Sequence, residues 1–231
     1  MKRVLIGASA VLLMASLANA APFVVSQAGD ARTVTWSYDP DGAGPLGSIT
    51  GSADLTVNSI NASSLQLFVT LSNTTGSAFT NAGIASFGFS IDPNASSVSG
   101  TSTGANDTTT DTDAFSGFGL DNIPGLSMVE VCAWTANSCN GGGQQSLLAK
   151  GLTDLFVITL SWNTPNAVAQ YTLDNFALKV QTNVTSYEFY TNGGGGGTGG
   201  GGSTAPEPAS MLLLGMGLIA MAHRLRQRKS A

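Results

Sequence analysis

Residues that usually carry out catalysis are scarce in this chain. Its 231 residues include one histidine, His223, two cysteines, and only nine lysines and arginines together. General acid–base and nucleophilic catalysis most often need a histidine, a lysine or a reactive thiol. The composition therefore excludes a Ser-His-Asp triad in the body of the chain, and two cysteines alone cannot close a zinc site. We expect a protein that is not an enzyme and that has no cofactor.

Paired carboxylates are the one catalytic arrangement that the composition leaves open. Two acidic side chains hydrolyse a glycoside when they flank the scissile bond. The spacing of the acidic residues along the sequence does not indicate which two of them would form such a pair. The candidates are Asp54, Asp121, Glu130, Asp154, Asp174 and Glu188.

Positive charge is almost absent from the middle of the chain. Between residues 21 and 204, three basic residues stand against thirteen acidic ones, which gives a formal charge of −10. Phosphate groups repel so acidic a surface, so we expect no nucleic acid partner. The remaining basic residues flank apolar segments at the two ends, a pattern typical of membrane-topology signals.

The N-terminus has the three-part pattern of a secretory signal peptide. Lys2 and Arg3 precede an apolar stretch, and Ala18 and Ala20 mark a small-residue cleavage site. This order of charge, apolar run and small residues favours removal of residues 1–20 over a buried core helix.

The C-terminus contains a second apolar segment, which runs from Ala209 to Ala222. As a helix its fourteen residues reach about 21 Å, short of the roughly 30 Å hydrocarbon core, so a thin or transient span is expected. The side chains expected to contact lipid are Met211, Leu212, Leu213, Leu214, Leu218 and Ile219. The basic residues expected to stay on the cytoplasmic side are Arg224, Arg226, Arg228 and Lys229.

Pro206, Glu207 and Pro208 precede this apolar segment. Together with the Arg-rich end, they make residues 205–231 similar to the PEP-CTERM sorting signal of Gram-negative bacteria. The resemblance implies that an exosortase, a membrane-embedded cysteine transpeptidase, recognises these three residues. It also implies export through a transient inner-membrane stage to the cell surface or extracellular matrix, in bacteria that make extracellular polysaccharide.

A glycine-rich stretch separates this signal from the rest of the chain. Residues 192–204 contain nine glycines between Gly193 and Gly202. Glycine loses so much backbone entropy on ordering that such a run predicts a flexible linker.

The body, residues 21–191, alternates apolar and polar residues over several short runs. Residues 64–73, for example, place Leu65, Leu67, Val69 and Leu71 on one side. Turn-forming sequences separate the runs, and no stretch keeps a helical period for three turns. The pattern predicts a single all-β domain, an antiparallel, jelly-roll-like β-sandwich of about eight to ten strands.

Two features of the body predict particular local chemistry. Cys132 and Cys139 would form a disulfide in an oxidising compartment. The three glycines after Cys139, followed by a strand near residues 151–156, are similar to the cistern-type subgroup of PEP-CTERM proteins. Asp107, Asp111 and Asp113 form either a calcium-binding loop or a solvated polar loop, and their spacing does not match an EF-hand.

Two functions follow from these observations. The first is a non-enzymatic exported surface or matrix protein, sorted by an exosortase and associated with exopolysaccharide and biofilm. The alternative is a carbohydrate-binding β-sandwich module, with calcium as a stabilising ion. Sugar rings stack on exposed aromatic residues, but we expect Trp36, Trp134 and Trp162 to be buried in strands.

Overall fold

A computed structural model describes residues 22–40, 47–76, 79, 81–102, 113–140, 146–183 and 185–191. These residues form two antiparallel sheets that pack face to face. None of them belongs to a helix long and apolar enough to cross a bilayer. The all-β sandwich expected from the sequence is confirmed.

In the described part of the chain, twelve strands make up the two sheets. The five-stranded sheet contains β2 (Ala31–Tyr38), β3 (Ile49–Asn61), β4 (Ser64–Asn73), β6 (Ser97–Ser102) and β10 (Thr153–Ser161). The seven-stranded sheet contains β1 (Phe23–Val25), β5 (Gly83–Asp92), β7 (Gly117–Leu120), β8 (Val131–Trp134), β9 (Leu148–Ala149), β11 (Tyr171–Gln181) and β12 (Ser186–Tyr190). These strands are more than the eight to ten expected from the sequence, because short strands such as β1 and β9 add to the edges.

The strand order interleaves early and late parts of the chain. In the five-stranded sheet the order is β2-β3-β4-β10-β6, and in the other it is β1-β11-β5-β8-β7, with β12 beside β11 and β9 beside β5. The chain crosses repeatedly from one sheet to the other, for instance from β4 to β5 and from β5 to β6. This arrangement agrees with the expected jelly-roll character, to which β2 and β3 add two strands at one edge.

The core lies between the sheets and is rich in aromatic side chains. The ring of Trp36 on β2 meets the ring of Phe87 on β5 edge to face, with centroids 5.9 Å apart. Phe156 on β10 stacks on Phe115 at 5.0 Å. Each of these four side chains is at most 2 % exposed, and aromatic pairs of this kind stabilise a core beyond their buried area.

One end of the sandwich is closed by hydrogen-bonded aromatic residues. Trp162 stacks on Tyr171 with centroids 4.1 Å apart. Trp162 Nε1 donates to the carbonyl of Pro93, and the Tyr171 hydroxyl donates to the carbonyl of Asn61. Both polar atoms are therefore satisfied within the protein, as buried Trp and Tyr require.

The turn between β1 and β2 is held by Asp30. Its Oδ2 accepts hydrogen bonds from the backbone amides of Ser26 at 2.7 Å and Gln27 at 3.1 Å. These amides lower the pKa of Asp30 from its ordinary value. Gly29 has a φ of 88° in this turn, a conformation that glycine adopts without steric cost.

Candidate functional site

Most of the predicted sorting apparatus lies outside the described residues. This holds for the signal peptide at 1–20, the linker at 192–204 and the tail at 205–231. Asp107 and Asp111 of the candidate calcium loop lie outside them as well. The candidate functional residues that the structure does describe therefore lie in the sandwich.

The predicted disulfide between Cys132 and Cys139 is present, and both cysteines are fully buried. It closes a short loop at the end of β8, so its stabilisation through chain entropy is about 2–3 kcal/mol. The Ser86 hydroxyl on β5 donates to the carbonyl of Cys139 at 3.1 Å. The disulfide therefore fastens its loop over the outer surface of the seven-stranded sheet.

A second, smaller apolar cluster surrounds this disulfide. Ile123, Leu126 and Val129, from the connection between β7 and β8, pack with both cysteines and with Ala177 of β11. Gly88 on β5 leaves room for this layer, because a Cβ there would lie 2.5 Å from Val129. One face of the seven-stranded sheet is thus covered by loops, whereas the sequence analysis predicted no such cover.

A buried ion pair lies on the same sheet. Lys179 of β11 and Glu188 of β12 are register partners, and Lys179 Nζ is 2.9 Å from Glu188 Oε1. Their side chains are 7 % and 0 % exposed. Neither Glu188 oxygen has a partner in hydrogen-bond geometry, so the ion pair is the main compensation for this buried charge.

Of the six candidate carboxylates, the structure brings Asp121 and Glu130 to one cleft of about 270 Å³. Both carboxylates already accept hydrogen bonds: Asp121 Oδ1 accepts from the amide of Asn122, and Glu130 accepts from the Asn94 side-chain amide at 2.8 Å and from the amide of Ile91. Asp121 is thus engaged locally, and Glu130 links the start of β8 to the end of β5, so each has a structural role.

The other carboxylates serve separate structural roles. Asp54 accepts a hydrogen bond from Thr33 across β2 and β3, and Asp174 accepts one from the backbone amide of Asn175. Glu188 is bound to Lys179.

Asp154, like Glu188, is a fully buried carboxylate, and it has no exposed surface. Its Oδ2 accepts a 2.6 Å hydrogen bond from the amide of Phe115. Ser102 links it to Asp113, because the Ser102 hydroxyl lies 2.9 Å from Asp113 Oδ1 and 3.4 Å from Asp154 Oδ1. Among the residues that the structure describes, no three metal-ligating side chains form a group, so calcium binding stays a prediction.

The expected burial of the tryptophans is confirmed for Trp36 on β2 and for Trp162, which lies just after β10, but not in full for Trp134. Trp36 is 2 % and Trp162 is 7 % exposed, while Trp134 is half-buried beside the disulfide cluster. Trp134 packs over Gly117, where a Cβ would lie 2.0 Å from its Nε1. None of the three rings forms an exposed stacking platform.

The outward face of the five-stranded sheet has an unusual composition, which the sequence analysis did not identify. We name this surface the hydroxyl face; it consists of the residues of its five strands that point away from the core. It is made almost entirely of Thr, Ser, Asn and Gln. Its members on β2, β3 and β4 are Thr33, Thr35, Ser37, Thr50, Ser52, Asp54, Thr56, Asn58, Ser64, Gln66, Phe68, Thr70 and Ser72. Its members on β6 and β10 are Ser97, Ser99, Thr101, Thr153, Leu155, Val157, Thr159 and Ser161.

A family model described as the PEP-CTERM protein-sorting motif matches residues 204–229. This match confirms the resemblance seen at Pro206, Glu207, Pro208 and the segments that follow them. No curated protein and no solved structure matches the chain. The similarity to the cistern-type subgroup stays a prediction.

Proposed function

We propose that this protein is a non-enzymatic component of the cell surface or extracellular matrix. The premise is its PEP-CTERM motif, which implies an exported protein with an exosortase as its processing partner. In this proposal the sandwich is the exported domain, and it lies within a matrix of exopolysaccharide outside the cell. The single observation that supports delivery is the sorting motif at residues 204–229.

The chemistry of the sandwich supports a non-catalytic role. Each of the six candidate carboxylates is engaged by a backbone amide, a side-chain amide, a hydroxyl or a lysine, which is how structural carboxylates are used. The body contains no histidine, so the common general base is missing from it. Its negative charge keeps the exported domain soluble and separate from other acidic surfaces.

Fractionation of the producing bacterium tests this proposal. We expect most of the exported protein to sediment with the extracellular matrix, and to move into the culture medium in a matched strain that makes no exopolysaccharide. Immunoblotting of membrane, matrix and medium fractions measures the distribution. An identical distribution in the two strains would show that the polysaccharide does not retain the protein.

A second candidate function is carbohydrate binding by the sandwich. The observation that favours it is the hydroxyl face, because hydroxyl and amide side chains exchange hydrogen bonds with sugar hydroxyls as both donors and acceptors. Under this function the protein is retained in the matrix by direct contact with polysaccharide, instead of by entrapment alone.

A further inference from the structure

We propose that the hydroxyl face is the binding surface for a neutral polysaccharide, with Phe68 as the residue on which a sugar ring stacks. This inference rests on the second candidate function and names its site and the class of its ligand. It follows from how polar and apolar side chains are distributed across the face.

Two polar rows cross the sheet at right angles to its strands. In one row, Thr35, Ser52, Ser72 and Thr153 are successive register partners on β2, β3, β4 and β10. The Ser72 and Thr153 hydroxyls lie 3.0 Å apart. At about 4.8 Å between strands, such a row extends about 14 Å.

The second polar row lies nearer the other end of the strands. Gln66 on β4, Thr159 on β10 and Ser99 on β6 are register partners. Gln66 Nε2 donates to Thr159 Oγ1 at 3.1 Å, and Asn58 donates to Gln66 Oε1. These hydrogen bonds fix the side chains in one arrangement, which lowers the entropy that binding a ligand would cost.

Three apolar side chains on β4 and β10, which we name the apolar strip, lie between the two rows, and Thr70 lies beside them as the register partner of Leu155. Phe68 on β4 is the register partner of Val157 on β10, and Leu155 is two residues before Val157 on the same face. Phe68 is 38 % exposed, and it is the only aromatic among the large apolar side chains exposed in the described part of the chain. The other exposed ones are Val24, Leu120, Met128 and Val168.

This pattern matches the chemistry of a sugar ring. A pyranose has a C–H face that packs on apolar or aromatic surface and hydroxyls at its rim that need hydrogen-bonding partners. On the hydroxyl face, the apolar strip would take the C–H face of one ring, and Gln66 and Thr70, the neighbours of Phe68 on this face of β4, would meet its rim. The row that contains Ser72 lies about 13 Å from Phe68 along β4, so it would meet another sugar of the same polymer. A polymer is favoured over a small ligand because the surface is open and several strands wide.

The charge of the face selects a neutral polymer. Among its outward strand residues, Asp54 is the only charged one, and its carboxylate already accepts a hydrogen bond from Thr33. A cation that could pair with uronate or sulfate groups is missing from these positions. The acidic body would repel an anionic polymer further.

Affinity electrophoresis of the purified full-length protein tests the proposal. The gels contain hydroxyethyl cellulose or dextran as neutral probes, and alginate as the anionic probe. We expect a neutral polymer to retard the protein and alginate to leave it unaffected. Phe68→Ala should weaken the interaction about tenfold, since a stacked aromatic contact is lost, whereas Phe68→Tyr should keep it.

Val168→Ala is the matched control, because Val168 is 65 % exposed and lies outside the hydroxyl face. Thermal melting of each variant checks that the sandwich is intact.

If the parent is retarded and Phe68→Ala is retarded equally, the site assignment is wrong while sugar binding stands. If no neutral polymer retards the parent, or only alginate does, both are overturned. If light scattering instead shows a dimer that Phe68→Ala dissociates, the face is a contact between copies of this chain.

Discussion

Replacing Pro206, Glu207 and Pro208 by alanine is expected to leave the protein in the inner membrane. Each proline fixes its own φ and restricts the residue before it, so we expect an extended motif in front of the apolar segment. Alanine removes both restrictions and would favour a helix that runs from the motif into that segment. The exosortase would then lose both the shape and the carboxylate that it recognises. We expect the exported amount to fall about tenfold or more, as for an enzyme that loses its main specificity contacts.

Membrane and extracellular fractions, compared by immunoblot, measure this effect. Ser203→Ala with Thr204→Ala is the matched control, since it changes the last two linker residues before the motif and leaves the three motif residues in place. Export of the triple variant at the level of the parent would contradict a role for the motif in sorting.

Lys179→Met is expected to destabilise the sandwich by about 3–5 kcal/mol. The substitution leaves the Glu188 carboxylate buried without its ion-pair partner, and its oxygens have no other hydrogen-bond partner to compensate. Breaking a buried pair from one side is costly for this reason. The double variant Lys179→Met with Glu188→Leu removes both charges and should lie much closer to the parent, since an apolar pair of similar volume replaces them.

Urea unfolding of the parent, Lys179→Met, Glu188→Leu and the double variant, followed by tryptophan fluorescence, gives the four free energies of this cycle. Arg32 is one of the three basic residues of the body, and its side chain is only half-buried. The free energy of unfolding of Arg32→Met therefore serves as the comparison for loss of a less buried positive charge. If Lys179→Met lowers the free energy of unfolding by less than about 1 kcal/mol, the ion pair contributes no more than a surface salt bridge does, which would contradict its burial.

The parts of the fold that the sequence predicted are strands with one apolar side. On β4 the residues Leu65, Leu67, Val69 and Leu71 are all fully buried, and on β10 the same holds for Phe156, Ile158 and Leu160. These strands have core on one face and solvent on the other, so their burial has the same period as their sequence.

Other strands escaped the sequence analysis for physical reasons. From Phe176 to Val180, β11 is buried on both faces, because the core lies on one side and the disulfide cluster and ion pair lie on the other. Such a strand shows no alternation. β6 has almost no large apolar side chains, and β7 contains two glycines that let Trp134 and its neighbours approach.

The candidate sites differed in how well the sequence predicted them. The disulfide was predictable because two cysteines in an exported chain have few alternatives. The ion pair was not, since Lys179 and Glu188 become neighbours only through the register of β11 and β12. The hydroxyl face did leave a signal in the Thr and Ser that alternate with apolar residues, but its rows depend on pairing among five strands.

The central claim is that the C-terminus is a sorting signal that an exosortase reads and processes. Intact-mass measurement of the protein recovered from outside the cell tests it most directly, on material expressed in its natural host. The account predicts a mature chain that has lost residues 1–20 and most of the segment 205–231. An extracellular product that still carries the whole of residues 205–231 would contradict it.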